Sequence, residues 1–92
     1  MSIEITHVRY GRTPKTEDVI THYKWRNEQT NATGSSDKPA MVTWLDDKSN
    51  VAHVGRNPQA TAVSVHPQGQ NAYVRTVADG KYTNNLLSLP EF

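Results

Sequence analysis

The sequence has no cysteine, few apolar residues and almost no net charge, and each shortage excludes a class of protein. Without cysteine, disulfide scaffolds and cysteine-ligated zinc sites are excluded. A formal net charge of +1 argues against nucleic acid and membrane surfaces as partners. No stretch is apolar for long enough to span a bilayer, and the first residues lack the apolar run of a secretion signal. We therefore expect a cytoplasmic protein.

The apolar residues that are present suffice for one small core. The 92 residues correspond to a single domain covering residues 1–92. The hydrophobic content of 35% is low, but two Trp, four Tyr and one Phe supply bulk. A chain of this size buries only about two-thirds of its unfolded surface. Self-association as a homo-oligomer is therefore an expected source of stability.

Alternation of apolar and polar residues predicts about five short strands. In the first run, Ile3 and Ile5 alternate with Glu4 and Thr6. The predicted strands cover residues 2–10, 19–25, 50–55, 61–65 and 72–78. The polar stretches 27–36, 56–59 and 66–71 are expected to be loops or turns, because they hold Gly, Pro and Asn but no large apolar residue.

Residues 37–47 fit two patterns, and the helix is favoured over a strand. Met41, Val42, Trp44 and Leu45 have helical spacing. Ser36 precedes them as a candidate N-cap, and Asp37 suits the first turn. The predicted fold is therefore α+β: a small antiparallel sheet of about five strands with one short helix. A small all-β barrel is the alternative if residues 37–47 form a strand.

The last third of the chain, residues 72–92, combines a strand, a tight turn and an apolar tail. Asp79-Gly80 predicts a type I′ hairpin turn, because both residue types tolerate positive φ. The tail holds several large apolar side chains, which are Leu86, Leu87, Leu89 and Phe92. Chain termini are ordered mainly where packing holds them, so this tail is expected to dock on the sheet.

These residues also carry a family resemblance. Tyr73-Val-Arg-Thr76, then Asp79-Gly80, then the stretch from Asn84-Asn85 to Leu89-Pro90 resemble the C-terminal signature of the bacterial and phage proteins grouped as domain of unknown function 3892. Members typically have Asp where this chain has Asn84. The resemblance implies a small α+β domain and supports the helix; it implies no activity, because the family has none assigned.

The same signature suggests a candidate ligand site. Arg75 offers a rigid fork suited to phosphate or carboxylate groups. Thr76, Asp79, Asn84 and Asn85 would add polar groups if the tail folds back. The leading hypothesis is a non-catalytic binding module that sequesters a small anionic, nucleotide-like ligand at these residues. The competing interpretation is structural, in which the same residues clamp the C-terminal segment.

A second hypothesis is a protein–protein interaction module. Its partner surface would be the face of Tyr23, Trp25 and Arg26, or an exposed strand edge. A weaker third hypothesis is single-stranded nucleic-acid binding by tyrosines and tryptophans beside basic residues. It is disfavoured because the net charge is nearly zero.

Catalytic and metal chemistry are not predicted. The four histidines have no spacing typical of a metal site, and the Asp-rich positions lack the Gly-centred pattern of a calcium loop. No Gly-x-Ser-x-Gly elbow surrounds a serine. We expect no enzyme activity, no metal and no cofactor.

Overall fold

The computed structural model describes residues 1–55 and 57–92, and for residues 57–59 it describes the backbone alone. This part of the chain forms seven strands and one α-helix, with 3₁₀ turns at Glu17–Val19 and Asn85–Ser88. The strands are β1 (Ser2–Tyr10), β2 (Ile20–Asn27), β3 (Thr33–Asp37), β4 (Val51–Val54), β5 (Asn57–Val65), β6 (Tyr73–Ala78) and β7 (Lys81–Thr83), and the helix is α1 (Lys38–Asp46). The α+β class is confirmed, but the sheet is larger than the predicted five strands.

The sheet is mixed rather than antiparallel. Its strand order is β3-β2-β1-β4-β5-β6-β7. β1 and β4 run parallel, with Ser2 opposite Val51 and Ile5 opposite Val54, whereas the other neighbouring pairs are antiparallel. A parallel pair needs a long crossover connection. Here β2, β3 and α1 supply that connection, which no local sequence pattern indicates.

Helix α1 forms where the helical pattern predicted it. Asp37, rather than Ser36, is the N-cap: its Oδ1 accepts a hydrogen bond of 2.9 Å from the Ala40 N–H. Pro39 lies in the first turn, where its missing N–H costs nothing. One helix face is buried against the sheet through Met41, Val42 and Leu45. Because Lys38–Asp46 is a helix and not a strand, the condition for the all-β barrel alternative is not met.

We call the sheet face that packs against α1 the inner face and the opposite one the outer face. Two β-bulges in the β1–β2 pair shift the register along these faces. The second bulge makes Tyr10 pair with Ile20 while Arg9 pairs with His22, so Thr21 is the additional residue. Simple alternation would have placed Ile20 on the polar face with His22. Ile20 is instead completely buried.

The loop predicted at residues 27–36 is wrong in its second half, because Thr33–Asp37 is strand β3 at one edge of the sheet. This strand has no large apolar side chain, so it carries no periodic signal. The turn predicted at 56–59 lies partly outside the described residues, since Arg56 is not among them. From Asn57 onwards the backbone already belongs to β5.

The type I′ turn at Asp79-Gly80 is confirmed. Both residues have positive φ, 54° and 77°, and Ala78 pairs with Lys81 across the two-residue loop. Within residues 1–55 and 57–92, no helix combines the length and hydropathy that a membrane crossing requires.

Candidate functional site

The C-terminal tail docks on β1. β4 pairs with the first half of β1 and ends where the Gly55 N–H donates to the Ile5 carbonyl. Beyond that point the tail, instead of β4, bonds to this edge of β1. The Val8 N–H donates to the Pro90 carbonyl at 3.0 Å, and the Phe92 N–H donates to the Val8 carbonyl at 3.2 Å. Leu86 is fully buried in the core. The expected docking of the tail is therefore present.

Arg75 lies between an aromatic ring and a carboxylate. Its guanidinium carbon is 4.4 Å from the centre of the Tyr82 ring, and its Nη2 is 3.9 Å from Oε2 of Glu17. The Glu17 side chain is 13% exposed and that of Arg75 is 28% exposed. Among the described residues, neither Arg75 Nε nor Glu17 Oε2 has a hydrogen-bond partner. The positive charge of Arg75 thus faces an internal carboxylate.

The other predicted ligand-site residues do not all share the face of Arg75. Thr76 follows Arg75 on the strand, points to the opposite face and is fully buried opposite Thr83. Asp79 is exposed in the hairpin turn. Asn84 is exposed and Asn85 half-buried at the start of the last 3₁₀ turn, and the Asn84 carbonyl accepts from the Leu87 N–H. The structure does not gather these five residues into one pocket.

The three predicted partner-surface residues also separate. Tyr23 is fully buried in the core, and this burial raises the pKa of its phenol. Arg26 lies on the outer face, where its Nη2 is 2.7 Å from Oε1 of the nearly buried Glu4. Trp25 points to the inner face, where it is half-buried.

Trp25 lies across the edge strand because the residue opposite it is glycine. Trp25 pairs with Gly34, and a Cβ on Gly34 would stand 2.6 Å from the indole Cζ2. The indole Nε1 reaches further along β3 and donates to Ser36 Oγ at 3.1 Å. Large aromatic side chains commonly cover an edge glycine in this way. The apolar surface therefore extends to the rim of the sheet.

This surface continues into an apolar groove between α1 and the sheet. We call it the Trp groove; its volume is about 250 Å³, and it is lined by Met1, Ile3, Trp25, Ser36, Ala40, Met41 and Trp44. Ala40 is exposed at its mouth, whereas Met41 and Ile3 form its buried floor. Sequence analysis missed Gly34, Ala40 and Trp44 as site residues.

The free edge of β3 borders the Trp groove. The Glu28 N–H donates to the Ser2 carbonyl, and the Asn27 N–H donates to the Ala32 carbonyl, so β2 bonds alternately to its two neighbours. Because the alternation continues along the strand, the backbone groups of Gly34 and Ser36 bond to β2. The backbone groups of Thr33 and Ser35 consequently point away from the sheet, and their side chains lie on the outer face.

Two carboxylates on the surface each bind a serine and a histidine. Asp46 accepts from Ser64 Oγ and lies 2.8 Å from His66 Nε2; Glu28 accepts from Ser2 Oγ and lies 2.8 Å from His53 Nδ1. In both groups the acid is in the middle, so no histidine contacts a serine hydroxyl. A serine nucleophile needs its base within hydrogen-bond reach. In both groups the carboxylate joins side chains from different parts of the chain, so this arrangement connects neighbouring elements.

Within the described residues, no group of three or more His, Asp and Glu side chains is placed to hold an ion.

Comparison with known proteins gives a family and no activity. The model of a family described as "Protein of unknown function (DUF3892)" matches residues 4–90 of the 92. The chain therefore belongs to this family, as its C-terminal motifs suggested. No curated protein and no solved structure matches the chain.

Proposed function

We propose that this domain is a non-catalytic protein-interaction module that binds its partner at the β3 edge and the Trp groove. The supporting observation is the continuity of the two features. The outward backbone groups of Thr33 and Ser35 border an apolar groove, because Trp25 covers Gly34 and Ala40 leaves the groove mouth open.

The matching partner is an extended segment that adds a strand to the sheet. In this binding mode, main-chain hydrogen bonds give affinity and pockets for alternate side chains give specificity. A segment pairing with Thr33 and Ser35 would place alternate side chains on the inner face. An apolar side chain there would meet Trp25 and Trp44, and the groove walls offer it mainly carbon atoms. The partner is thus expected to alternate apolar and polar residues.

The geometry gives less support to an anionic, nucleotide-like ligand at Arg75. The nearby Glu17 carboxylate repels an anion, and Thr76 faces the core. Single-stranded nucleic acid also loses support, because Tyr23 is buried and Trp25 lies on a different face from Arg9, Lys24 and Arg26. The proposal includes a cytoplasmic location for the protein, which is expected from the cysteine-free composition.

The experiment is selection from a displayed library of short peptides, followed by NMR mapping on the labelled domain. We expect selected peptides with alternating apolar residues, and shifts concentrated at residues 33–37 and on α1. Ala40→Glu should abolish their binding, since it places a long charged side chain at the groove mouth.

Thr43→Glu is the matched control, because it adds the same charge at an exposed position of the same helix. Its binding should equal that of the unmodified domain. The proposal would be contradicted if the peptides bound Ala40→Glu with the same affinity as Thr43→Glu. It would also be contradicted if the peptides changed the chemical shifts of residues outside the β3 edge and the Trp groove.

A further inference from the structure

The outer face beside the β3 edge is organised in three cross-strand rows. Each row runs from β1 through β2 to β3, and strand register pairs its members. The rows are Glu4, Arg26 and Thr33; His7, Lys24 and Ser35; and Arg9, His22 and Asp37. A strand added at the edge would extend each row by one residue. The charges in each row therefore indicate which side chains such a strand carries on its outer face.

In the first row the positive charge is already balanced. Nη2 of Arg26 is 2.7 Å from Oε1 of Glu4, and its Nη1 donates to Oδ1 of Asn31 at 2.8 Å. Thr33, which lies at the edge, is uncharged. This row leaves no unbalanced charge for a partner.

The third row ends in a carboxylate. Asp37 is exposed at the edge, and its Oδ1 accepts a hydrogen bond from the Ala40 N–H. At the other end of the row, Nε of Arg9 donates to the Phe92 carbonyl at 2.9 Å. Like charges directly opposite each other on neighbouring strands destabilise the pair. An acidic partner residue is therefore unfavourable opposite Asp37.

The middle row contains a lysine without a counter-charge. Lys24 is exposed, and in the part of the chain that the structure describes its ammonium group has no ion pair. Its neighbour in β1 is His7, whose Nδ1 is 2.8 Å from Thr6 Oγ1 and which brings no negative charge. Its neighbour in β3 is Ser35, whose side chain is short and uncharged. The charge of this row is thus positive as far as the sheet edge.

We propose that the partner segment at the β3 edge carries an acidic residue at the position paired with Ser35, and that Lys24 recognises this residue across Ser35. This inference rests on the proposed function, because it names the chemistry of a strand bound at the same edge. Neighbouring strands lie about 4.8 Å apart, so the partner strand would lie about 10 Å from β2. The flexible four-carbon stem of Lys24 and the side chain of a partner glutamate together cover this distance, because the short side chain of Ser35 leaves the path open.

This ion pair would lie at the rim of the interface, in contact with water. Exposed ion pairs change affinity by about two- to fivefold, and salt weakens them by screening. Rim charges act mainly on the association rate and its salt dependence. The acidic residue therefore selects the register and speeds association, whereas main-chain hydrogen bonds and the Trp groove supply most of the affinity.

The test uses synthetic versions of a peptide selected from the displayed library, with Glu, Gln or Lys at the residue that nuclear Overhauser contacts show to be paired with Ser35. At low ionic strength the unmodified domain should bind the Glu peptide about two- to fivefold more tightly than the Gln peptide, and the Lys peptide least tightly. Lys24→Gln should bind the Glu and Gln peptides equally. Lys24→Glu should reverse the order, so that the Lys peptide binds most tightly.

Lys81→Gln is the matched control, because Lys81 is an exposed lysine on β7, at the opposite edge of the sheet. It changes the net charge as Lys24→Gln does, and it should keep the affinity order of the unmodified domain. The inference is overturned if the unmodified domain binds all three peptides equally while their chemical-shift changes remain at the β3 edge; the proposed function then stands. If no displayed peptide binds at the β3 edge, the proposed function fails and this inference fails with it.

Discussion

Single residues decide which surfaces of this domain are available. Gly34 has no side chain, and the Trp25 indole occupies the space that a Cβ would need. Trp25 was a sequence-based site candidate, whereas Gly34 was not, because their pairing depends on strand register. Arg75 shows the same limit: its residue type suggested anion binding, but its Nη2 lies 3.9 Å from the carboxylate of Glu17, which is distant in the sequence.

Replacing Arg75 tests whether this residue is structural. In Arg75→Ala, the carboxylate of Glu17 keeps its largely buried position and loses its cation. The variant removes an ion pair at 3.9 Å that has no hydrogen bond, together with the contact between Arg75 and the Tyr82 ring. Losses of this kind sum to about 1–2 kcal/mol. We expect the free energy of unfolding, measured by urea titration, to fall by about that amount, and we expect the variant to remain folded.

The double variant Glu17→Gln with Arg75→Ala provides the control, because it removes both charges. The double variant should lose less stability than the sum of the losses of the two single variants, as expected for residues that interact. Strict additivity would show that Glu17 and Arg75 are uncoupled. A nucleotide panel that raises the melting temperature of the unmodified protein, but not of Arg75→Ala, would instead favour the ligand hypothesis.

At the scale of elements, local signals predicted local structure. Helix α1 and the Asp79-Gly80 turn followed from capping and turn residues, and both are confirmed. Strand β3 and the parallel β1–β4 pair were missed for different reasons. β3 depends on Trp25 for its apolar cover, and the parallel pair depends on a crossover that spans several elements. The candidate groove is lined by residues of β1, β2, β3 and α1, so sequence reasoning found only part of it.

The tail provides a test at this scale. Leu86→Ala removes a side chain that is completely buried in the core, so it should lower stability by about 2–5 kcal/mol. Because Val8 bonds to Pro90 and Phe92, hydrogen exchange of the Val8 amide should accelerate in Leu86→Ala. Leu87→Ala is the control: Leu87 is half-buried, so its loss should be smaller. Equal, small effects of both variants would mean that the tail is not anchored by Leu86.

For the whole molecule, surface carboxylates set the response to acid. Hydrogen bonds from Ser64 and His66 lower the pKa of Asp46, those from Ser49 lower that of Asp47, and one from Thr16 lowers that of Asp18. A carboxylate with a lowered folded pKa stabilises the protein above its unfolded value of about 3.9 and loses that contribution as pH falls through the folded pKa.

The melting temperature should therefore fall as the pH is lowered below about 4. Asp46→Asn should have a flatter profile in that range, because it removes one of the titrating groups. Lys81→Gln is a suitable control, since it removes an exposed charge that is not among the groups lowering the pKa values of these carboxylates. A profile that is unchanged in Asp46→Asn would contradict the role assigned to this carboxylate.

The position of the tail on β1 also has a consequence for biosynthesis. The second half of β1 is translated about eighty residues before the segment around residue 90 that bonds to one of its edges. Contacts so distant along the chain slow folding, since a large loop must close before they form. A nascent chain stalled before Leu86 should therefore stay sensitive to protease, and the native sheet should assemble only after residues 86–92 have been translated.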